Sequence, residues 1–468
     1  MVFADLLFLY LFLPALLAAY YAVRANLRNW VLVVASLLFY AWGEPVWVAL
    51  LVASAAVDYH CGRYIGARTE PGARRWGLVV SLVVNLSLLG VFKYAGFLVT
   101  NLNVFAGLGL PVPAIVMPIG ISFYTFQKIS YTVDVYRGRA RVQESFPDFL
   151  LFVSLFPQLI AGPIVRYTEI AGELAERTCR FSDVEAGLRR FITGLLKKVA
   201  VANAAGHLAA VWLDRGVETQ TVAGAWLGAL MFTLQIYYDF SGYSDMAIGL
   251  GRMFGFHFPE NFDHPYVSRS VTEFWRRWHM TLGRFFRDYL YIPLGGNRRR
   301  VYLNLLIVWF LTGLWHGASW NFVLWGLYYL VFLVLEKAFL GRALRRIPAV
   351  FSHVYLLLVV IFGWVLFYFT DLSRALAHLK VMLFLEGVPL IDLPVKIALA
   401  NNLYWLIAAV LFCMPLAAQL RRLQGAFEAR TGVVPGLAVS LTTALAGLLL
   451  STMLLVGQSY NPFLYYRF

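Results

Sequence analysis

Two histidines, His279 and His316, each directly follow a tryptophan and lie in a central stretch between about residues 235 and 330. Histidine can act as a general base near neutral pH because its reference pKa is about 6.5. His316 lies in WHGASWN between two strongly apolar stretches, where Gly317 and Ala318 would allow a substrate to approach closely. A lone histidine in an apolar run is more often structural. Residue chemistry alone therefore makes His316 one candidate base among eight histidines.

Other catalytic chemistries have little support in the residue patterns. The sequence contains no HExxH motif and no close HxxxH pair, and its three cysteines lack paired spacing. It also lacks a G-x-S-x-G motif for a serine nucleophile. We therefore predict no metal site and no disulfide framework.

The segment from Glu273 to Arg300 combines aromatic residues such as Trp278 with a high density of arginine. It is too charged to span a membrane and too aromatic for an ordinary loop. We interpret it as helices on the inner side of the protein that end near Pro293 and Gly295. Two interpretations of its arginines remain open: they bind the phosphates of a coenzyme or carrier-bound phosphopantetheine, or they supply positive-inside charge and contact anionic lipids. The arginines in question are Arg276, Arg277, Arg284 and Arg287.

Two aspartates, Asp239 and Asp245, lie within the apolar run 223–250. A charge at membrane depth costs about 2.5–3.5 kcal/mol on insertion scales, so it usually faces a cavity or a partner. With Tyr243 they could line a substrate tunnel, or they could form a buried network with the basic segment. Lys197 and Lys198, near the start of one run, are expected to snorkel to the inner interface. For Lys128 and Asp134, near the inner end of another run, structural pairing or snorkelling is expected.

The composition identifies a polytopic membrane protein. The 468 residues are 60% hydrophobic and 14% charged, whereas soluble proteins carry about 25% charged residues. The net charge of +14 lies mainly in short loops between apolar runs, which is the positive-inside pattern rather than a nucleic-acid surface. Run length predicts crossings at about 3–22, 29–42, 46–61, 76–100, 114–133, 191–213, 223–250, 301–315, 317–337, 352–370, 402–420 and 434–457.

Loop charges predict the orientation. If Met1 is outside, every second loop lies inside, and these inside loops are rich in arginine. The outside loops near 43–45, 101–113 and 214–222 contain a single arginine, Arg215. Both termini are therefore expected outside. With this number of crossings, the run 148–165 must enter the membrane and return on the inner side, and its Pro157 favours such a broken, re-entrant segment. The stretch SRALAHLKVMLFLEG in 371–401 predicts an amphipathic surface helix, either an interfacial connector or a docking platform. We expect one membrane domain over 1–468.

Five motifs make the sequence similar to the membrane-bound O-acyltransferase (MBOAT) family, and most of all to its bacterial alginate O-acetyltransferase branch. The resemblance covers nearly the whole chain in order, without departure from the branch pattern. The motifs are PIGISFYTFQKISYTVDVYRG, QIYYDFSGYSDMAIGLGRMFGFHFPENFDHPY, FWRRWHMTLGRFFRDYLYIPLGGNR, LWHGASWNFVLWGLYY and NPFLYYRF.

The resemblance implies an all-α polytopic fold with about 11–12 transmembrane helices and re-entrant helices in a ring around a central tunnel. It implies that His316 is the family's catalytic histidine and that His279 is the second histidine of the bacterial branch. Trp315 and Asn321 are expected beside the donor, together with Trp278 and the four arginines. No bound cofactor is implied: acetyl-CoA or another acyl thioester is the donor substrate.

The function implied is transfer of an acetyl group from a cytoplasmic thioester across the bacterial inner membrane to an alginate-like exopolysaccharide. A periplasmic acetyltransferase and the polysaccharide machinery would be its partners. Two alternatives remain: D-alanyl transfer from a carrier protein to teichoic acid, and transport without chemistry. No inverted repeat or pair of broken helices supports the transporter.

Overall fold

A computed structural model describes residues 1–416, 433–457, 463 and 464. Within these residues the chain forms helices and no β-strand, which confirms the all-α prediction. The α-helices are α1 Leu13–Ala22, α2 Arg28–Gly43, α3 Trp47–Ala67, α4 Pro71–Leu89, α5 Ala95–Ala106, α6 Ile121–Tyr136, α7 Phe146–Ser154, α8 Phe156–Leu159, α9 Tyr167–Ala175, α10 Phe181–Leu196, α11 Asn203–Leu213, α12 Val222–Met253, α13 Val271–Arg277, α14 Met280–Phe286, α15 Val301–His316, α16 Trp320–Leu335, α17 Gly341–Leu344, α18 Ala349–Tyr368, α19 Leu372–Met382, α20 Leu393–Phe412 and α21 Val433–Val456. Turns of π-helix extend several of them, at Phe8–Phe12, Gly90–Tyr94, Lys197–Ala202, Arg287–Tyr291 and Glu336–Leu340.

Several helices have the length and composition to cross a membrane. In the described part of the chain these are Pro71–Ala106, Trp320–Leu344, Ala349–Tyr368 and Leu393–Phe412. Shorter apolar helices cover Phe8–Ala22, Val301–His316 and Leu441–Val456. Such helices satisfy their backbone groups internally, as the bilayer requires. The number of crossings and the central tunnel stay predictions.

Helices coincide with the predicted apolar runs, but some bounds differ. The run predicted at 402–420 corresponds to α20, which begins at Leu393 because the Asp392 side chain accepts a hydrogen bond from the N–H of Val395. The residues 417–420 lie outside the described part. The helix expected at 114–133 begins only at Ile121, after Gly120 with a φ of 77°. The run 148–165 is broken at Leu155 between α7 and α8, as its proline predicts.

The described chain divides into two compact units, one formed by Met1–Phe191 with Tyr243–Glu260 and the other by Ile192–Gly242 with Asn261–Leu464. A buried polar network ties α3, α4 and α6 together in the first unit. The carboxylate of Asp58 accepts hydrogen bonds from Ser81 Oγ at 2.5 Å and from Asn85 Nδ2 at 2.8 and 2.9 Å. Lys128 Nζ lies 3.5 Å from Asp58 Oδ2, and both side chains are fully buried. Lys128 therefore forms a structural ion pair, which is one of its two expected outcomes, and its partner is Asp58 on another helix.

In the second unit, α15 and α16 form a tight helical hairpin. A Cβ on Gly313 would overlap the carbonyl oxygen of Phe322, and one on Gly326 would overlap that of Trp309. Glycine at both positions lets the two backbones approach closely. The hairpin therefore fixes where α15 ends, at His316.

Lys198 is also buried in the second unit, and its Nζ lies 2.6 Å from Asp239 Oδ1. The predicted snorkelling of Lys198 is wrong, because its ammonium is buried in an ion pair with the Asp239 carboxylate. Gly242 on α12 allows close packing, because a Cβ at this position would lie 2.8 Å from the Gly194 carbonyl oxygen.

We predict that Asp58→Asn lowers the thermal stability of the purified protein strongly, by about 3–5 kcal/mol, because it leaves the Lys128 ammonium buried without a counter-charge. Thermal unfolding in detergent measures the effect. The double variant Asp58→Asn/Lys128→Met should recover most of the loss. Glu386→Gln removes the exposed ion pair with Lys380 and should change little. Equal losses in Asp58→Asn and Glu386→Gln would contradict this account of the network.

Candidate functional site

His279 lies at the junction of two short helices, α13 and α14. Its backbone is left-handed, with a φ of 44°, which turns the chain sharply between them. The imidazole is 1% exposed, and its ring lies 4.7 Å from the ring of Phe240 in an edge-on contact. A non-glycine residue in this conformation is uncommon and marks a place where the surroundings dictate the backbone.

Asn261 sets the tautomer of His279. Its Oδ1 accepts hydrogen bonds from Thr281 Oγ1 at 2.8 Å and from the Thr281 N–H at 3.4 Å, and it lies 3.1 Å from His279 Nδ1. Because this oxygen is an acceptor, we assign the proton to Nδ1 of the imidazole. Nε2 then carries a lone pair, and among the described residues this buried atom has no hydrogen-bond partner.

Burial lowers the pKa of His279 to about 3. Removal from water disfavours the charged imidazolium, so the side chain is neutral at physiological pH. His279 is therefore a hydrogen-bond acceptor through Nε2.

His316 is the last residue of α15, where Gly317 leaves the helix in an extended conformation. Its imidazole is 5% exposed and packs edge-on against Trp325 at 4.9 Å and Phe367 at 5.5 Å between ring centroids. The indole of Trp315 lies 5.0 Å from His316 and 6.0 Å from His279. The structure thus brings both predicted catalytic histidines to one aromatic side chain.

A cavity of about 1240 Å³ lies in the second unit and is lined by residues between 269 and 352. His279 and Trp278 line it, and His316 is not among its described lining residues. Basic side chains line the cavity as well, and they outnumber its two carboxylates, Glu273 and Glu336. The lining cations are Arg269, Arg276, Arg287, Lys337, Arg342 and Arg345. Such a cavity can accept an anionic ligand with an extended arm.

The four predicted donor-binding arginines separate into two pairs. Arg276 and Arg287 line the cavity, whereas Arg277 and Arg284 are not among its lining residues. Arg277 instead forms ion pairs with Asp263 at 3.0 Å and Glu273 at 3.1 Å.

Lys337, Arg342 and Arg345 also line the cavity, although no motif in the sequence predicted them there. The apolar run 317–337 was the one sequence signal that could have indicated them. In the structure the helix of this run continues through the π-helical turn Glu336–Leu340 and α17, and these turns carry the basic residues.

Asn321 is fully buried near the start of α16. Its Oδ1 accepts a hydrogen bond from Ser319 Oγ, and its Nδ2 has no hydrogen-bond partner in the described part of the chain. A buried amide donor without a partner is costly, so this group is available to a ligand.

The predicted tunnel-lining residues make structural contacts. Asp239 pairs with Lys198, and its Oδ2 accepts a hydrogen bond at 2.6 Å from the N–H of Leu464 near the C-terminus. In the first unit, Arg190 bonds Asp245 through Nε at 2.9 Å and Nη2 at 2.8 Å. The ring of Tyr243 stacks on Phe3 at 4.8 Å. A role of these residues in a tunnel stays a prediction.

Comparisons with known proteins match these features to one family. A model of the membrane-bound O-acyltransferase family matches residues 137–377, which include both histidines and the cavity. The chain is 40% identical over 507 aligned residues to a "probable alginate O-acetylase AlgI" of Azotobacter vinelandii, with 100% of each chain covered. It is 37% identical over 434 residues to a peptidoglycan O-acetyltransferase of Helicobacter pylori, covering 84% of this chain and 82% of the relative. A teichoic acid D-alanyltransferase of Bacillus subtilis is 26% identical over 275 residues, covering 56% and 69%.

Burial of His279 predicts a dependence of stability on pH. Below pH 6.5 the unfolded chain binds a proton at this residue, but the folded chain does so only near pH 3. Folding stability therefore falls as the pH drops below 6.5, by about 1.4 kcal/mol per pH unit for this proton. We expect His279→Gln to lose less thermal stability than wild type between pH 7 and pH 5. His207→Gln, at an exposed position, is the control. An equal loss in His279→Gln and wild type would refute the assignment of a buried neutral imidazole.

Proposed function

The chain belongs to the membrane-bound O-acyltransferase family, and from this premise we propose that it transfers an acetyl group from a cytoplasmic thioester to a hydroxyl acceptor for O-acetylation of an alginate-like exopolysaccharide. The observation that carries the proposal is the pair of buried histidines within about 6 Å of the Trp315 ring, one of which lines a cation-rich cavity. The alginate O-acetylase relative, aligned over the full length of both chains, supports this acceptor class.

The cavity supports the donor side of the proposal. Coenzyme A and phosphopantetheine carry phosphates and a long, narrow arm. The guanidinium groups of Arg276, Arg287 and Arg345 can pair with phosphate oxygens at the cavity wall. The arm would then extend toward His279, the buried histidine that lines the same cavity.

The reaction needs a base for the hydroxyl proton and no redox partner. We propose that His316 takes the proton from the acceptor hydroxyl as the oxygen attacks the thioester carbonyl. The tetrahedral intermediate collapses, the C–S bond breaks, and the imidazolium returns its proton to the leaving thiolate. Such a base contributes about 10²–10⁴-fold to the rate. The buried Nδ2 of Asn321 supports a role in binding the donor or its developing oxyanion.

His279 would orient the thioester. Its contacts leave Nε2 as a hydrogen-bond acceptor, which suits an amide N–H of the pantetheine arm. Polarising the thioester carbonyl would require a donor there, and burial opposes the protonation that would supply one.

D-alanyl transfer to teichoic acid is the alternative within the family. The D-alanyltransferase relative covers 56% of this chain, whereas the alginate O-acetylase relative covers all of it at higher identity. Transport without chemistry would need no buried base. The proposed setting is the bacterial inner membrane, with a periplasmic acetyltransferase passing the acetyl group to the polysaccharide.

We predict that His316→Ala lowers acetyl transfer by at least about 10²-fold at normal protein levels. Membranes that contain the chain are supplied with radiolabelled acetyl-CoA, with a carrier protein that bears labelled acetyl, or with a carrier protein that bears labelled D-alanine, and acceptor-bound label is counted. His279→Ala should also impair transfer, and His207→Ala, at an exposed position, should not. Full activity in His316→Ala would contradict the mechanism. A preference for the D-alanyl carrier would favour D-alanyl transfer to teichoic acid.

The loop charges predict that both termini lie outside the cytoplasm. Alkaline phosphatase fused after residue 468 should be active, because it folds only in an oxidising compartment, and green fluorescent protein fused there should be dark. A fusion in the basic loop near Arg346 should give the opposite pattern. Reversed signals at these two positions would overturn the orientation.

A further inference from the structure

A single buried carboxylate, that of Glu336, holds the start of the helix that leads to His279. Its Oε1 accepts hydrogen bonds from the N–H of Val271 at 2.6 Å and from Tyr355 Oη at 3.1 Å. Its Oε2 accepts from the N–H of Thr272 at 2.9 Å and from Thr272 Oγ1 at 2.6 Å. Glu336 is 7% exposed, so these bonds form away from water.

Glu336 caps α13, and this helix is too short to be stable without contacts from other parts of the chain. It has seven residues, and isolated helices this short are unstable in water. The first N–H groups of a helix have no intrahelical partner. Ser270 Oγ accepts from the N–H of Glu273, and Glu336 accepts from Val271 and Thr272. Its negative charge also suits the positive end of the helix dipole.

The other end of α13 carries the candidate site. Arg276 and Trp275 line the cavity from this helix. Trp278 follows directly, stacked on Phe274 at 5.5 Å and packed against Trp364 at 4.8 Å. His279 comes next. A shift at the start of so short a helix therefore moves the imidazole with it.

Glu336 lines the cavity, so a direct role as a base is the competing interpretation. An ionised carboxylate has about four lone-pair sites. Four hydrogen bonds from the protein already occupy them, two on each oxygen. A side chain so fully engaged holds structure and has no free lone pair for a substrate proton.

We propose that Glu336 is a positioning residue, which fixes α13 from its N-terminus and so sets where His279 meets the donor. The inference rests on the proposed function for the role of His279. The anchoring itself depends only on the contacts of Glu336. A displacement of about 1 Å at a reacting group can cost about 10²-fold in rate.

The test combines hydrogen exchange with acetyl transfer in the full-length protein. In Glu336→Ala, amide exchange should accelerate in peptides that cover residues 271–279. The transfer rate from radiolabelled acetyl-CoA at saturation should fall about 10- to 100-fold. The double variant Glu336→Ala/His279→Ala should be no slower than His279→Ala, because the carboxylate acts through the histidine.

Milder variants keep the test decisive if Glu336→Ala folds poorly. Glu336→Gln retains one acceptor oxygen but presents an N–H₂ group to the helix end, so its loss should be intermediate. Thr272→Val removes one of the four hydrogen bonds and should cost least. The matched control is Asp392→Asn, which weakens a carboxylate cap on α20 and should leave transfer unchanged.

Unchanged exchange over residues 271–279 in both Glu336 variants would overturn the proposal. So would rate losses that multiply in the double variant, since these would show that Glu336 acts independently of His279. If the wild-type protein transfers no acetyl group from any donor, the proposed function fails instead. The exchange comparison would then still decide whether Glu336 anchors the helix.

Discussion

The candidate site depends on one physical constraint: polar groups that are buried without water must be held by other residues. Glu336, Asn261 and Asp58 each meet it with several hydrogen bonds on one side chain. The cost of leaving such groups unpaired makes their partners highly specific. His279 Nε2 and Asn321 Nδ2 are among the buried polar atoms of the described residues that have no hydrogen-bond partner, and we propose that both contact the donor.

The sequence predicted the helices well because helix-forming apolar runs are local. The predicted run 301–315 corresponds to the helix Val301–His316, and the predicted run 223–250 corresponds to the helix Val222–Met253. It could not predict which charges pair, since Lys128 with Asp58 and Lys198 with Asp239 join residues far apart in the chain. Snorkelling was the local expectation for Lys198, and a long-range ion pair with Asp239 replaced it.

For the site, the motifs identified both histidines, but the geometry around them needed the fold. No spacing rule places Asn261 beside His279, or Glu336 at the start of α13. Arg276 and Arg287 line the cavity, whereas Arg277 does not line it and forms ion pairs with Asp263 and Glu273. The difference arises because neighbouring residues on a short helix face different directions.

The central claim is that a membrane O-acyltransferase site lies between the cation-rich cavity and Trp315. The most direct measurement is an electron cryomicroscopy structure of the protein with a thioether analogue of acetyl-CoA that cannot transfer its acyl group. The account predicts density for the phosphates near Arg276 and Arg287, with the arm reaching His279 and the acyl end beside Trp315. An analogue bound elsewhere, with the cavity empty at saturating concentration, would contradict it.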